Sequence, residues 1–435
     1  MATVVHVGPW GIKCGVAKHL SYWLAARSDG CEHRICTDVP PAWYGKTSDW
    51  EEIGVPVTRV WERGREDALP KIEDFLDSDG AAIVHLQYDA HLWPWVMLAP
   101  FFNWCRGEGI KTIATAHVLF DLTEDATRAN CAMLEGIDRL VVGTPHMVRA
   151  FADYAAKFHI TLRGPVEMIP LAAPPLPPGR AEKAAPYPCV FTFGLLGGHK
   201  GHADMLEGVR QLRSSGYPDA RYVVAGAAIT GEQRQTLEVL QDQARRWPGM
   251  VEVREGFHDE AVLYRWCQEA DVVALGHKLP YSSSSGTAIL AVASGSPVAV
   301  SDMPMLTSGL EDAVARVGMG PEDWAHTLAA VLNGHGPTPE ARASVAERFL
   351  PTAVAAQYEA LYASLLDEAH DRHVKPTTPT SVDINAMLAE AREASQEANE
   401  FFDRGQQAQA RARHLIDQAE TAMKAHRADV LGEGK

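Results

Sequence analysis

Strand-like apolar runs alternate with helical patterns along most of this chain, and the alternation halts once and then starts again. The runs before the halt are Val4–Gly8, Arg34–Thr37, Ala81–Leu86, Lys111–Thr115, Arg139–Val142 and Glu167–Ile169. Between them, Val16–Arg27, Trp93–Arg106 and Pro145–Lys157 carry the helical period. The halt is LAAPPLPPGRAEKAAPYP, residues 171–188, whose prolines cannot continue a helix or a central strand. The pattern resumes with Val190–Leu195, Tyr222–Ala225, Val251–Arg254, Asp271–Leu275 and Pro297–Ser301. Unbroken apolar strands are covered on both faces, which is the condition of a parallel sheet between helix layers. The sequence therefore predicts an α/β protein of two Rossmann-like lobes, residues 1–175 and 188–345, with an interdomain linker between them. Ligands of such lobes bind at the carboxyl ends of the strands, so the predicted site lies in the cleft.

The charge balance narrows the function. Lys plus Arg number 40 and Asp plus Glu 56, a formal charge of −16. Such a surface repels phosphate backbones and disfavours a general nucleic-acid binder. The seven cysteines contain no C-x-x-C, which excludes a zinc ribbon or thioredoxin motif and fits a reducing cytosol. No targeting segment is read at MATVVHVGPWG. The longest apolar run, Leu92–Phe102, is shorter than the roughly 20 residues of a bilayer span. It reads as a core helix or, alternatively, as an interfacial patch on a cytoplasmic, membrane-peripheral protein.

Beyond the second lobe a helix is predicted over roughly 341–370, then a Pro/Thr linker at 375–381. Residues 382–431 follow, with apolar or small residues spaced three and four apart between 384 and 422. That is the heptad signature, and it reads as a coiled coil joining copies of the chain, a solvated helix or an intramolecular hairpin.

Three loops stand where strands run into helices. Gly8–His19 (GPWGIKCGVAKH) has glycines that let backbone approach a ligand, and a helix N-terminus that presents free N–H groups to an anion. It is neither a Walker loop nor a dinucleotide fingerprint, and a tight ligand-free turn reads as well. Phe193–Gly201 (FGLLGGHKG) adds Lys200, a point charge suited to a diphosphate or else a plain surface lysine. Leu279–Asp302 places four serines and Gly286 before an apolar helix, where hydroxyls cap the helix and its N–H groups can take a phosphate. That helix is predicted to stop at Ser294-Gly295. His85–Asp89 (HLQYD) and Ala114–Asp121 (ATAHVLFD) put polar groups at carboxyl strand ends, as core hydrogen-bonders or as site residues. No H-E-x-x-H or D-x-D is present, so no metal site is predicted.

In their order and spacing these elements resemble the group-1 glycosyltransferases of the GT-B fold over residues 1 to about 370. The stretches that carry the resemblance are GVAKH, HLQYD, TAHV, MIPLAAP at 168–174, FGLLGGHKGH, PYSSSSGTAILAVASGSPV and RFLPTAVAAQYEALY at 348–362. The resemblance implies transfer of a sugar from a nucleotide-diphosphate sugar to an acceptor hydroxyl, with retention and without metal or cofactor. It implies catalytic roles for His117 and Lys200. Donor contacts would come from Gly15, Gly197, Gly198, His199, Lys200, Tyr281, Ser284, Ser285, Gly286 and Thr287. Acceptor-side candidates are His19, Gln87, Tyr88, Asp89 and Asp121, for a glycan, lipid or small-molecule acceptor. Residues 346–372 would be the helix that crosses back to the first lobe. The family's paired glutamates are missing, since their spacing falls on Ser282 and Leu290, and so is the arginine before the donor lysine. These departures keep a non-catalytic GT-B-like scaffold as the alternative. Further alternatives are a nucleotide-sugar epimerase or hydrolase and a phage-type DNA base glycosyltransferase.

Overall fold

The computed structural model describes residues 1–12, 14–39, 53–63, 65, 67–89, 92–93, 95–117, 133–179, 181, 186–278, 284–318 and 320–368. The predicted coiled coil of 382–431 lies outside them, as do Asp121 and Tyr281.

The first sheet holds β1 (Thr3–Val7), β2 (Glu32–Asp38), β3 (Val57–Trp61), β4 (Ile83–Tyr88), β5 (Lys111–Ala116), β6 (Arg139–Val142) and β7 (Val166–Met168). Its order is β3-β2-β1-β4-β5-β6-β7, and every pair is parallel. The second holds β8 (Cys189–Phe193), β9 (Arg221–Gly226), β10 (Val251–Glu255), β11 (Val272–Leu275), β12 (Val298–Ser301) and β13 (Ala315–Val317). Its order is β10-β9-β8-β11-β12-β13, again all parallel. In each sheet the winding reverses once, between β1 and β4 and between β8 and β11. Connections leave in opposite directions there and open a crevice at the carboxyl ends.

Two strands escape the sequence reading, β3 and β13. Both are edge strands, one with exposed polar positions and the other three residues long, so neither carries a continuous apolar run. The single helix expected over 341–370 is two, Pro339–Glu347 and Pro351–Asp367. Pro351 starts the second because its ring disfavours helical geometry at Leu350, which is extended at ψ 137°. The stop after the serine-rich loop is as expected: Gly295 is left-handed at φ 82° and ends helix Gly286–Ala293.

Helix Pro351–Asp367 packs against the first lobe. Val354, Tyr358, Leu361 and Tyr362 are buried with Leu20, Trp23 and Leu24 of helix Gly15–Ala25. Tyr358 stacks on Trp23 with ring centroids 4.5 Å apart. Fully burying one such side chain stabilises by about 1.5–3 kcal/mol, so this face alone is enough to hold the helix on the lobe. The run at 92–102 enters helix Trp95–Gly107, whose Leu98, Phe101 and Phe102 are core residues of the first lobe. Among the described residues no helix is long and apolar enough to cross a membrane. The Pro-rich segment is tied down: the Gly179 N–H donates to the Ser294 carbonyl at 3.0 Å, and Gln268 Nε2 donates to the Pro177 carbonyl at 3.0 Å.

Candidate active site

Both winding reversals carry glycine turns. In the second sheet β8 runs into Gly194 (φ 124°), a 3-10 turn at Gly198–Lys200, and Gly201 (φ 66°), which opens helix His202–Ser214. A Cβ on Gly201 would stand 2.6 Å from the Gly276 carbonyl oxygen, so only glycine lets the lysine turn lie against the end of β11. Gly226 is needed for the same reason, its missing Cβ falling 2.0 Å from the Gly194 carbonyl.

These turns hold Lys200 half-buried in a pocket with Thr192, Gly194, His202 and His277. Lys200 Nζ lies 2.7 Å from His277 Nε2. Burial holds the His277 imidazole at about 3, so it is neutral and accepts from the ammonium. The Ser301 hydroxyl fixes His277 through its backbone N–H, at 2.8 Å. Burial also brings Lys200 down to about 8. Among the described residues no carboxylate pairs with Lys200, whereas Lys18 is paired with Glu260 and Lys278 with Asp204 at 2.7 Å.

The serine-rich loop meets the same turn. A Cβ on Gly194 would come 3.2 Å from Thr287 Cγ2, in the first turn of helix Gly286–Ala293. Ser285 is that helix's N-cap, its Oγ accepting from the Ala288 N–H at 3.3 Å. The capping role proposed for these serines is therefore filled by Ser285. Ser284 points instead toward the first lobe, its Oγ 3.7 Å from Met147 Sδ. Gly286 is exposed at the helix start, and Leu290 is buried in the apolar cluster of the lobe. Gly197 and His199 pack on each other, and the Gly198 N–H donates to Glu232 Oε1 at 3.1 Å.

The first-lobe candidates are arranged differently. His117, at the carboxyl end of β5, has Nε2 2.9 Å from Gln87 Oε1. Gln87 Nε2 lies 3.2 Å from His85 Nε2, and both residues are fully buried. His19 Nδ1 accepts from the Ala172 N–H at 2.8 Å, and its ring lies 5.6 Å from that of His117. Tyr88 is buried at the end of β4 and Asp89 follows the strand. Gly15 is exposed at the start of its helix, with open space where a Cβ would stand. Gly8 and Gly11, in the same loop, are constrained: a Cβ on Gly8 would come 2.8 Å from Gln87 Cβ, and Gly11 is left-handed at φ 65°. Burial lowers His19 and brings His117 to about 4, so both rings are neutral at pH 7.

Sequence reading missed His6, His33, His202, His277 and Tyr362. His6 Nε2 and His33 Nδ1 are 2.9 Å apart, and His202 Nδ1 lies 3.0 Å from the Tyr222 hydroxyl. Their partners lie on distant elements, and only the pairing of those elements shows them. Among the described residues no group of three His, Cys, Asp or Glu side chains could hold a metal ion.

Two parallel Rossmann-like sheets, each with one winding reversal, and a final helix returning to the first lobe define the GT-B fold. No model of a known protein family matches the chain, and no curated protein matches it in sequence. Solved structures do match. HepE of Anabaena in complex with UDP is 13% identical, with a TM-score of 0.63 over 84% of this chain and 100% of that one. Sucrose-phosphate synthase of Thermosynechococcus elongatus is 16% identical, with a TM-score of 0.63 over 85% and 100%. The α,α-trehalose 6-phosphate synthase of Burkholderia multivorans is 13% identical, with a TM-score of 0.61 over 86% and 100%.

Proposed function

We propose that this protein is a glycosyltransferase that moves a sugar from a nucleoside-diphosphate sugar to an acceptor hydroxyl, with retention and without a metal. One observation carries the reading: Lys200 is a half-buried ammonium with no carboxylate partner among the described residues, set at the winding reversal of a GT-B lobe. A cation so placed is poised for an anionic ligand. The HepE structures with UDP and with UDP-glucose support a diphosphate as that ligand.

In the reaction, the bond from the anomeric carbon to the β-phosphate oxygen breaks and the bond to the acceptor oxygen forms on the same face. The acceptor proton passes to the departing phosphate. Lys200 and the first turn of helix Gly286–Ala293 stabilise the charge that grows on the diphosphate, which makes a divalent cation unnecessary. Neutral His117 offers a hydrogen bond to the transferred sugar. The first lobe receives the acceptor, and the segment 382–431 joins copies of the chain.

Leu290 favours one second reading, a binding protein without turnover, because an apolar residue stands where the resemblance places a donor-gripping glutamate. A thermal-shift screen with UDP, GDP, ADP and their sugars, followed by turnover in excess EDTA, separates the two. We expect one diphosphate and its sugar to raise the melting temperature, with EDTA-resistant release of that diphosphate. Stabilisation without release supports the second reading, and no stabilisation by any of them contradicts both.

A further inference from the structure

Four side chains from three elements form one hydrogen-bonded row in the first lobe. The Tyr362 hydroxyl, on the helix that returns from the second lobe, lies 2.7 Å from His85 Nδ1. His85 Nε2 lies 3.2 Å from Gln87 Nε2, and Gln87 Oε1 lies 2.9 Å from His117 Nε2. Tyr362, His85 and Gln87 are fully buried.

Each link dictates the next. An amide nitrogen only donates and an amide oxygen only accepts. The Gln87 N–H therefore requires a bare Nε2 on His85, which places the His85 proton on Nδ1, where it is donated to Tyr362. Thr115, whose hydroxyl is 2.7 Å from the same Nε2, is compatible as a second donor. At the other end the Gln87 oxygen requires a proton on His117 Nε2, and His117 Nδ1 is left as an acceptor. Burial holds His85 at about 3 and His117 at about 4, so each ring carries a single proton at neutral pH. The row thus has two polarities, and turning the Gln87 amide over reverses every donor in it.

We propose that Tyr362, His85 and Gln87 are positioning residues that lock His117 in its Nε2–H form and present Nδ1 as an acceptor to a hydroxyl of the transferred sugar. The role toward sugar rests on the glycosyltransferase reading; the tautomer itself does not. A lone neutral histidine exchanges between tautomers. Here the Gln87 amide makes the choice, and the Tyr362 hydroxyl of the crossover helix, which can donate or accept, supplies the acceptor that the His85 Nδ1–H needs in this polarity.

Long-range 1H–15N correlation spectra of the imidazole rings read the tautomers in the full-length protein without substrate. The His117 signal is assigned by its loss in His117→Ala. The expected wild-type form is Nε2–H. Tyr362→Phe removes one hydroxyl and keeps the ring; with its acceptor gone, His85 should move its proton to Nε2, the Gln87 amide should turn over, and His117 should move to Nδ1–H. A wild-type His117 in the Nδ1–H form overturns the assignment, and so does a folded Tyr362→Phe protein with His117 unchanged. Gln87→Met cuts the row at its middle and should divide His117 between both forms; a single Nε2–H population there overturns it as well. Because no turnover is needed, the expected tautomers in a protein that transfers no sugar would uphold the row while the enzymatic reading falls.

Discussion

In β4 and just past the end of β5, His85, Gln87 and His117 are bound to one another and to the crossover helix, and the histidines are held neutral by burial. At the corresponding ends of the second sheet, glycine turns bring backbone close around Lys200, whose partner is a neutral imidazole rather than a carboxylate. The first arrangement fixes hydrogen-bond direction and carries no net charge. The second carries a charge that no carboxylate among the described residues pairs. On the proposed glycosyltransferase reading, the charged turn of the second lobe would take the diphosphate of the donor and the neutral row of the first lobe its sugar.

The division is broken most severely by removing its charge. Lys200→Ala should lower donor turnover by about tenfold or more, since a charge-assisted contact to phosphate is worth about 1.5–3 kcal/mol. The fold should survive, because a loop lysine contributes little packing; circular dichroism with steady-state rates checks both, and wild-type rates would contradict the role.

A smaller effect concerns the neutral half. His6, His19, His33, His85 and His117 are all held below the ordinary histidine range, by burial first. A histidine depressed in the folded state binds fewer protons there than in the unfolded chain, so its stability contribution is complete above about 6.5 and is lost as pH falls toward the folded values. His202 and His277 of the second lobe add to the same slope. Urea unfolding should therefore show stability falling between about pH 6.5 and 4. A flat profile across that window would mean that these rings take up protons in the folded protein as readily as in the unfolded chain.

The charged half titrates at the other end of the scale. With Lys200 at about 8, UDP affinity should decline as pH rises through that value, well below the ordinary lysine figure of about 10.4. Affinity that holds to about pH 9.5 would place the lysine in water instead.

Much of this was readable in the chain. Strand β6 and helix Pro145–Lys157 fall on their predicted bounds, because apolar runs and a Thr-Pro helix start are local signals. The turn that carries Lys200 and the helix start capped by Ser285 were legible because a strand, glycines and a helical pattern follow one another in sequence order. The partners of His117 were not. Gln87 is thirty residues from it in the chain and Tyr362 far beyond, and only the parallel register of β4 with β5 and the return of the last helix bring them together. His277 escaped for the same reason, as it follows an apolar strand and gains meaning only from Lys200 opposite.

Calorimetry with UDP on wild type, Lys200→Ala and His117→Ala tests the division most directly. If the second lobe alone holds the diphosphate, Lys200→Ala weakens UDP about tenfold or more, as loss of one charge-assisted contact requires, and His117→Ala leaves UDP affinity unchanged. Equal weakening in the two variants, or none in Lys200→Ala, would contradict it.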